Sequence, residues 1–254
     1  MLSNFYHSRK LLHVSGAPLG PLKTNTYILF HNDMRVLLID PSEPITGFLK
    51  YLKKIEPHIK DVNVYLTHGH WNHIVGVPKV CDAFPKAKVY ASKKDMQLYT
   101  SPKYNLSEST DHPITIEKYL DRFVFIKDGD ILSLKDSKDA TKNSKYGYDK
   151  LTVIETPGHT PGSTVLKAEN KNFKLLFTGD TISYGSVGNA LLLLGNYDNL
   201  MDSILNKLMH LSDEFVIFPG HGEQTKIGDE RKTSPLILYE LNKRKKSNVE
   251  MVDI

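Results

Sequence analysis

Residues 67–73 read THGHWNH, and they place three histidines, His68, His70 and His73, within six residues. They follow VNVYL at 62–66, a short run rich in β-branched and aromatic residues of the kind that forms a strand. The histidines therefore stand where a strand gives way to a loop, and Gly69 allows that loop to turn tightly. A single histidine in such a place is most often a satisfied core or surface residue. The pattern, however, recurs. LTVIE (151–155) runs into TPGHTPGS, FKLLF (173–177) into TGD, and EFVIF (214–218) into PGHG. Four strands each finish by presenting a His or an Asp, and His68, His70, His73, His159 and His221 are five of the 11 histidines in the chain. Imidazole nitrogen and carboxylate oxygen are good ligands for zinc, iron or manganese. Loops at one end of a rigid scaffold are a common place to assemble them.

The chain has 254 residues, 40% of them hydrophobic, which suits one large α/β core spanning 1–254. A net charge of +4 comes from many lysines among nearly as many acids. The one basic block, NKRKK at 242–246, reads as a solvated helix end, so no nucleic-acid partner is expected. Cys81 is the only cysteine. It excludes an intrachain disulfide, fits a reducing compartment, and reads as a small buried hydrophobe. No apolar run is long enough for a membrane span. The expectation is a soluble, cytoplasmic protein. Arg9 and Lys10 precede the first acid, Asp33, which leaves a mitochondrial or other organellar address as the alternative.

Between the strand runs lie two helical patterns. Ile45, Phe48, Leu49, Leu52 and Ile55 share one helical face, with Pro44 at the start and Pro57 at the end. Leu200, Ile204, Leu205, Leu208 and Leu211 repeat that spacing, with Asp198 as a plausible cap. Many strands with one helix flanking each half predict two sheets face to face with helices outside. The polar stretch 135–150 reads as a mobile hairpin-loop insertion, and 101–113 as a second excursion.

The ordered motifs THxHxxH, PGHTPGS, TGD and PGHG resemble those of the metallo-β-lactamase fold superfamily. The following GEQTKIGDERKTSP (222–235) is similar to the tail of short glyoxalase II-like hydrolases, and TNTYILF…VLLIDPSE sits where that family has its opening hairpin. The resemblance implies an α/β fold, a four-layer αββα sandwich. It implies one or two divalent metal ions, zinc first, with iron or manganese as alternatives. His68, His70 and His159 would hold the first ion. Asp180 would bridge, and His73 and His221 would hold the second together with residue 72. The implied activity is hydrolysis of a small acyl thioester by metal-activated water, with a small molecule as partner.

Three departures qualify that implication. The family has Asp where this chain has Asn72, so this catalytic position offers a neutral amide without a basic site. A second metal should bind weakly there, and activity falls or is abolished. Asn189 and Leu191 stand where an Arg and an acid are usual; the run Leu191 to Leu194 reads as a buried loop or helix start, or as the wall of an apolar pocket. Only one terminal helix, SPLILYELNKRKK, follows, so glutathione specificity does not follow from the resemblance. Two other readings stand beside the hydrolase: a persulfide dioxygenase-like enzyme with a single iron on His68, His159 and Asp180, and an inactive binding relative.

Overall fold

The structure is a computed structural model, and it describes residues 6–7, 12–31, 35–59, 61–133 and 150–250. The insertion expected at 135–150 lies outside the described residues, except Lys150, which opens a strand.

Seven strands form the first sheet in sequence order: β1 (Tyr6–His7), β2 (Leu12–Leu19), β3 (Thr24–His31), β4 (Arg35–Ile39), β5 (Asp61–Tyr65), β6 (Val89–Ser92) and β7 (Phe123–Ile126). Strands β1 to β4 are antiparallel, and β4 to β7 run parallel. The second sheet contains β8 (Ile131–Ser133), β9 (Lys150–Glu155), β10 (Thr164–Glu169) and β11 (Lys174–Gly179). After a small ribbon, β12 (Ile182–Ser183) and β13 (Ser186–Val187), it is completed by β14 (Val216–Pro219) and β15 (Thr225–Lys226). Strand β14 lies parallel to β11.

Three apolar clusters account for four layers. Along β4, Val36 and Leu38 point to one side and Leu37 and Ile39 to the other, as the two-residue period of a strand requires. The first pair joins Phe48 and Leu52 of helix α1 (Thr46–Ile55) and Val77 and Val80, beyond α2 (Trp71–Ile74), on α3 (Val77–Ala83). The second pair meets Leu151, Val153, Leu166 and Phe177 of the opposite sheet. Beyond that sheet, after α4 (Met96–Thr100), Leu176 and Ile217 pack against Leu200 of α5 (Tyr197–Ser203), Ile227 of α6 (Ile227–Thr233) and Ile237 of α7 (Pro235–Glu250). This is the four-layer αββα sandwich.

Several local expectations change. The α5 cap is Asn196, whose side chain accepts from Asn199 N–H, and not Asp198. The helix widens into a π-helical turn at Ile204–Leu208. The 101–113 stretch is no loose excursion at its centre: Asn105 is buried and donates to the Leu98 and Ile114 carbonyls, while its own carbonyl accepts from Trp71 N–H. Cys81 is buried, as expected. Arg244, in the basic block, lies on α7 and donates to Asp202 and Asn206. Among the described residues no helix is long and apolar enough to cross a membrane.

The layer between the sheets is aromatic at its centre, where the Phe177 ring lies 5.1 Å from Phe218 and 5.5 Å from Tyr27. Phe177→Ala is expected to cost about 3–5 kcal/mol in urea unfolding. A loss under about 1 kcal/mol would mean that the sheets do not meet through this residue.

Candidate metal centre

Each strand end reaches the site through a connection that the backbone fixes. Thr164 N–H at the start of β10 donates to the Thr67 carbonyl of the opposite sheet, and Tyr65 Oη–H donates to Thr164 Oγ1 at 2.8 Å. Gly220 N–H donates to the Gly179 carbonyl, so the β11 and β14 ends stay side by side beyond their ladder. Gly220 has no space for a side chain: a Cβ would collide with Asp180 Oδ1 and stand 2.8 Å from His73 Cε1.

The structure brings together every residue expected at the site. The ligand atoms of His68, His70 and His159 lie within 4.8 Å of one another, and so do those of His73, Asp180 and His221. His70 Nδ1 is 2.9 Å from His159 Nε2, close to the separation of about 3.3 Å between two ligands of a tetrahedral zinc. His73 Nε2 is 3.4 Å from Asp180 Oδ1, and His159 Nε2 and His221 Nε2 are each 3.6 Å from Asp180 Oδ2. Asp180 keeps 18% of its side chain exposed and His221 34%, so the site opens to solvent on their side.

Hydrogen bonds set the tautomers. Thr67 Oγ1–H donates to Asp40 Oδ2 at 2.7 Å, so the Thr67 oxygen is left to accept from His68 Nδ1, 3.1 Å away. That leaves the lone pair of His68 on Nε2. His73 Nδ1–H donates to Asp40 Oδ2 at 2.9 Å, and His159 Nδ1–H to the Asn189 carbonyl at 3.0 Å. Support of this kind from a carboxylate or carbonyl orients a ligating imidazole and raises its basicity.

The fit to a metal rests on atoms left without partners. His68 Nε2, His70 Nε2, His73 Nε2 and Asp180 Oδ1 are buried and have no hydrogen-bond partner. Each such atom ordinarily costs about 1–3 kcal/mol, and His73 Nε2 and Asp180 Oδ1, 3.4 Å apart, with His68 beside them, match a cation; on His70 it is the other nitrogen, Nδ1, that faces His159. Protonation follows the same logic. Burial, and then neighbouring histidines, hold His68 well below its ordinary value and push His70 down to about 3, so both rings are neutral, the form that can ligate a metal. Burial also lowers His159, against the pull of Asp180. Burial would lower His73 too, but Asp180 and Asp40 together raise it to about 10. Asp180 would rise on burial; His73 and the other histidines hold it well below the carboxylate range.

Two functional residues were missed from sequence. Asp40 ends β4 as the other motifs end their strands, and its oxygens also accept Thr67 N–H at 2.8 Å. Its place after VLLI was the available signal. Asp95 gave none: it lies in SKKD, an ordinary polar stretch, yet it is fully buried and accepts from Gly69 N–H, Gly162 N–H and Thr160 Oγ1–H. One expectation is overturned. Leu191 to Leu194 do not form a buried loop, for Leu191 is 91% exposed and Leu193 40%. Their loop is pinned over His159, through Asn189 at one end and Asn196 N–H on the Gly158 carbonyl at the other. Leu191 and Leu193 are exposed, and Leu192 and Leu194 half-buried.

Comparison with known proteins places this geometry. The family model of the metallo-beta-lactamase superfamily matches residues 19–221. An uncharacterised Mycobacterium tuberculosis protein is 32% identical over 88% of this chain and 97% of its own length. The Haemophilus influenzae hydroxyacylglutathione hydrolase GloC is 26% identical over 89% of this chain and 98% of its own. Among solved structures, the B3 metallo-beta-lactamase BLEG-1 superposes with a TM-score of 0.74 at 30% identity, covering 88% of this chain and 99% of that one.

Asp95 is the test of how the site is held. Asp95→Asn sets an amide N–H against donors that now find a carboxylate, and zinc affinity is expected to fall about 10–100-fold. Competition with a chromophoric chelator measures it. Unchanged affinity would mean that Asp95 does not position the histidine loops.

Proposed function

The chain belongs to the metallo-beta-lactamase superfamily, and on that premise we propose that it is a metal-dependent hydrolase of small acyl thioesters. The observation that carries the metal is the grouping of the His68, His70 and His159 ligand atoms, and of the His73, Asp180 and His221 ones, within 4.8 Å, with His68 Nε2, His73 Nε2 and Asp180 Oδ1 buried and unpartnered. The thioester is supported by the GloC relative, which aligns over nearly its whole length.

His68, His70 and His159, beside Asp180, would hold a divalent metal, which when bound would supply Lewis acidity toward water and an acyl carbonyl. The chain supplies the rest. Asp180, ionised and with Oδ1 unpartnered, is placed to accept a hydrogen bond from the attacking water and so orient it. Asp40 keeps the His68 and His73 rings turned toward the centre. As the water oxygen bonds to the acyl carbon, the carbon–sulfur bond breaks, giving a carboxylic acid and a thiol. The exposed leucines at 191 and 193 offer an apolar surface beside His159 for an aliphatic part of the substrate.

Thiol release from S-lactoylglutathione and from aliphatic acyl thioesters tests this reading. The zinc-loaded protein is expected to liberate thiol, and His159→Ala to lose at least about 100-fold in kcat/KM. If the protein retains its metal and cleaves no thioester, the hydrolase reading fails. Oxygen consumption with a persulfide substrate would then favour the iron-dependent alternative.

A further inference from the structure

Of the three groups of possible ligands among the described residues, the one of His68, His70 and His159 and the one of His73, Asp180 and His221 are not equally available. His221 Nδ1 lies 2.9 Å from the Leu22 carbonyl oxygen, which can only accept. The ring proton therefore sits on Nδ1, and Nε2 carries the lone pair that a metal would need. That lone pair is already engaged. Asn72 Nδ2 stands 3.2 Å from His221 Nε2 and 2.9 Å from Thr24 Oγ1, so its two N–H groups have one partner each. Reversing the amide would set its carbonyl oxygen against the same lone pair, acceptor facing acceptor. The Thr24 hydroxyl would suit either orientation, so His221, with its proton held on Nδ1 by the Leu22 carbonyl, fixes it.

Charge argues the same way. Asp40 reaches toward His68 and His73, but its oxygens already receive Thr67 N–H, Thr67 Oγ1–H and His73 Nδ1–H. Asp180 alone of the two has an oxygen without a partner. Two divalent ions in this buried site would share that single carboxylate, and their mutual repulsion would be poorly compensated.

We propose that Asn72 closes the second metal position by donating to His221 Nε2, so that the chain holds one ion, at His68, His70 and His159 beside Asp180. The proposal rests on the metal-centre reading and is independent of the thioester.

The experiment counts metal and needs no turnover. The protein is stripped with a chelator, reloaded with zinc and desalted, and bound zinc per chain is measured by plasma mass spectrometry. Asn72→Asp is expected to double the zinc content of the wild type, and adding His221→Ala to that variant to halve it again. In the wild-type background His221→Ala should leave zinc content unchanged, a check that stands even if Asn72→Asp folds poorly. Two zinc ions on the wild type, no increase in folded Asn72→Asp, or loss of zinc in the single His221→Ala variant would each overturn the proposal. Thiol release separates the two claims. One zinc without thioester cleavage sinks the hydrolase and leaves the single-metal site; two zinc ions with cleavage do the reverse. A wild type that takes up no zinc contradicts both.

Discussion

One buried carboxylate joins the loops on which the site depends. Asp95 accepts from Gly69 N–H between His68 and His70, and from Thr160 and Gly162 on either side of Pro161, next to His159. The first loop leaves the first sheet and the second leaves the other, so these bonds fix the distance between ligands that no single sheet could set. Burial pushes the Asp95 carboxyl up to about 6, against the opposing pull of those hydrogen bonds. Hydrogen bonds to an ionised acceptor are short and strong. Here they offset only part of the cost of a carboxylate in the interior. Asp40 acts in parallel, taking Thr67 and His73 as donors and, through Thr67, orienting His68.

The consequence is a preorganised centre that is incompletely satisfied by the protein alone. Buried nitrogen and oxygen atoms without partners disfavour the metal-free native state, and a cation that binds only the native chain stabilises it. The scaffold tolerates this because the load falls at strand ends and leaves the three apolar clusters intact. Function then divides by position. The histidines deep in the site are buried and would hold the metal, whereas Asp180 and His221 are partly open to solvent.

Much of this was legible from sequence because strands alternate and end abruptly. VNVYL before His68 and FKLLF before Asp180 announced both a strand and a ligand, and their repetition gave two sheets and one pole. What was not legible depended on contacts between distant segments. Asp95 looks like any polar residue until β6 and the His159 loop are seen together. The apolar run from Leu191 read as buried because hydrophobicity alone does not tell which side of a pinned loop faces solvent. The Asn72 amide could be recognised as a lost carboxylate; its bond to His221, 149 residues away, required the fold.

The most direct measurement of the central claim is a crystal structure of the metal-loaded protein with anomalous data collected on both sides of the metal edge. The account predicts a single anomalous peak in contact with His68, His70 and His159, with Asp180 adjacent. No peak among these residues, or a metal bound elsewhere with the three imidazoles unliganded, would contradict it.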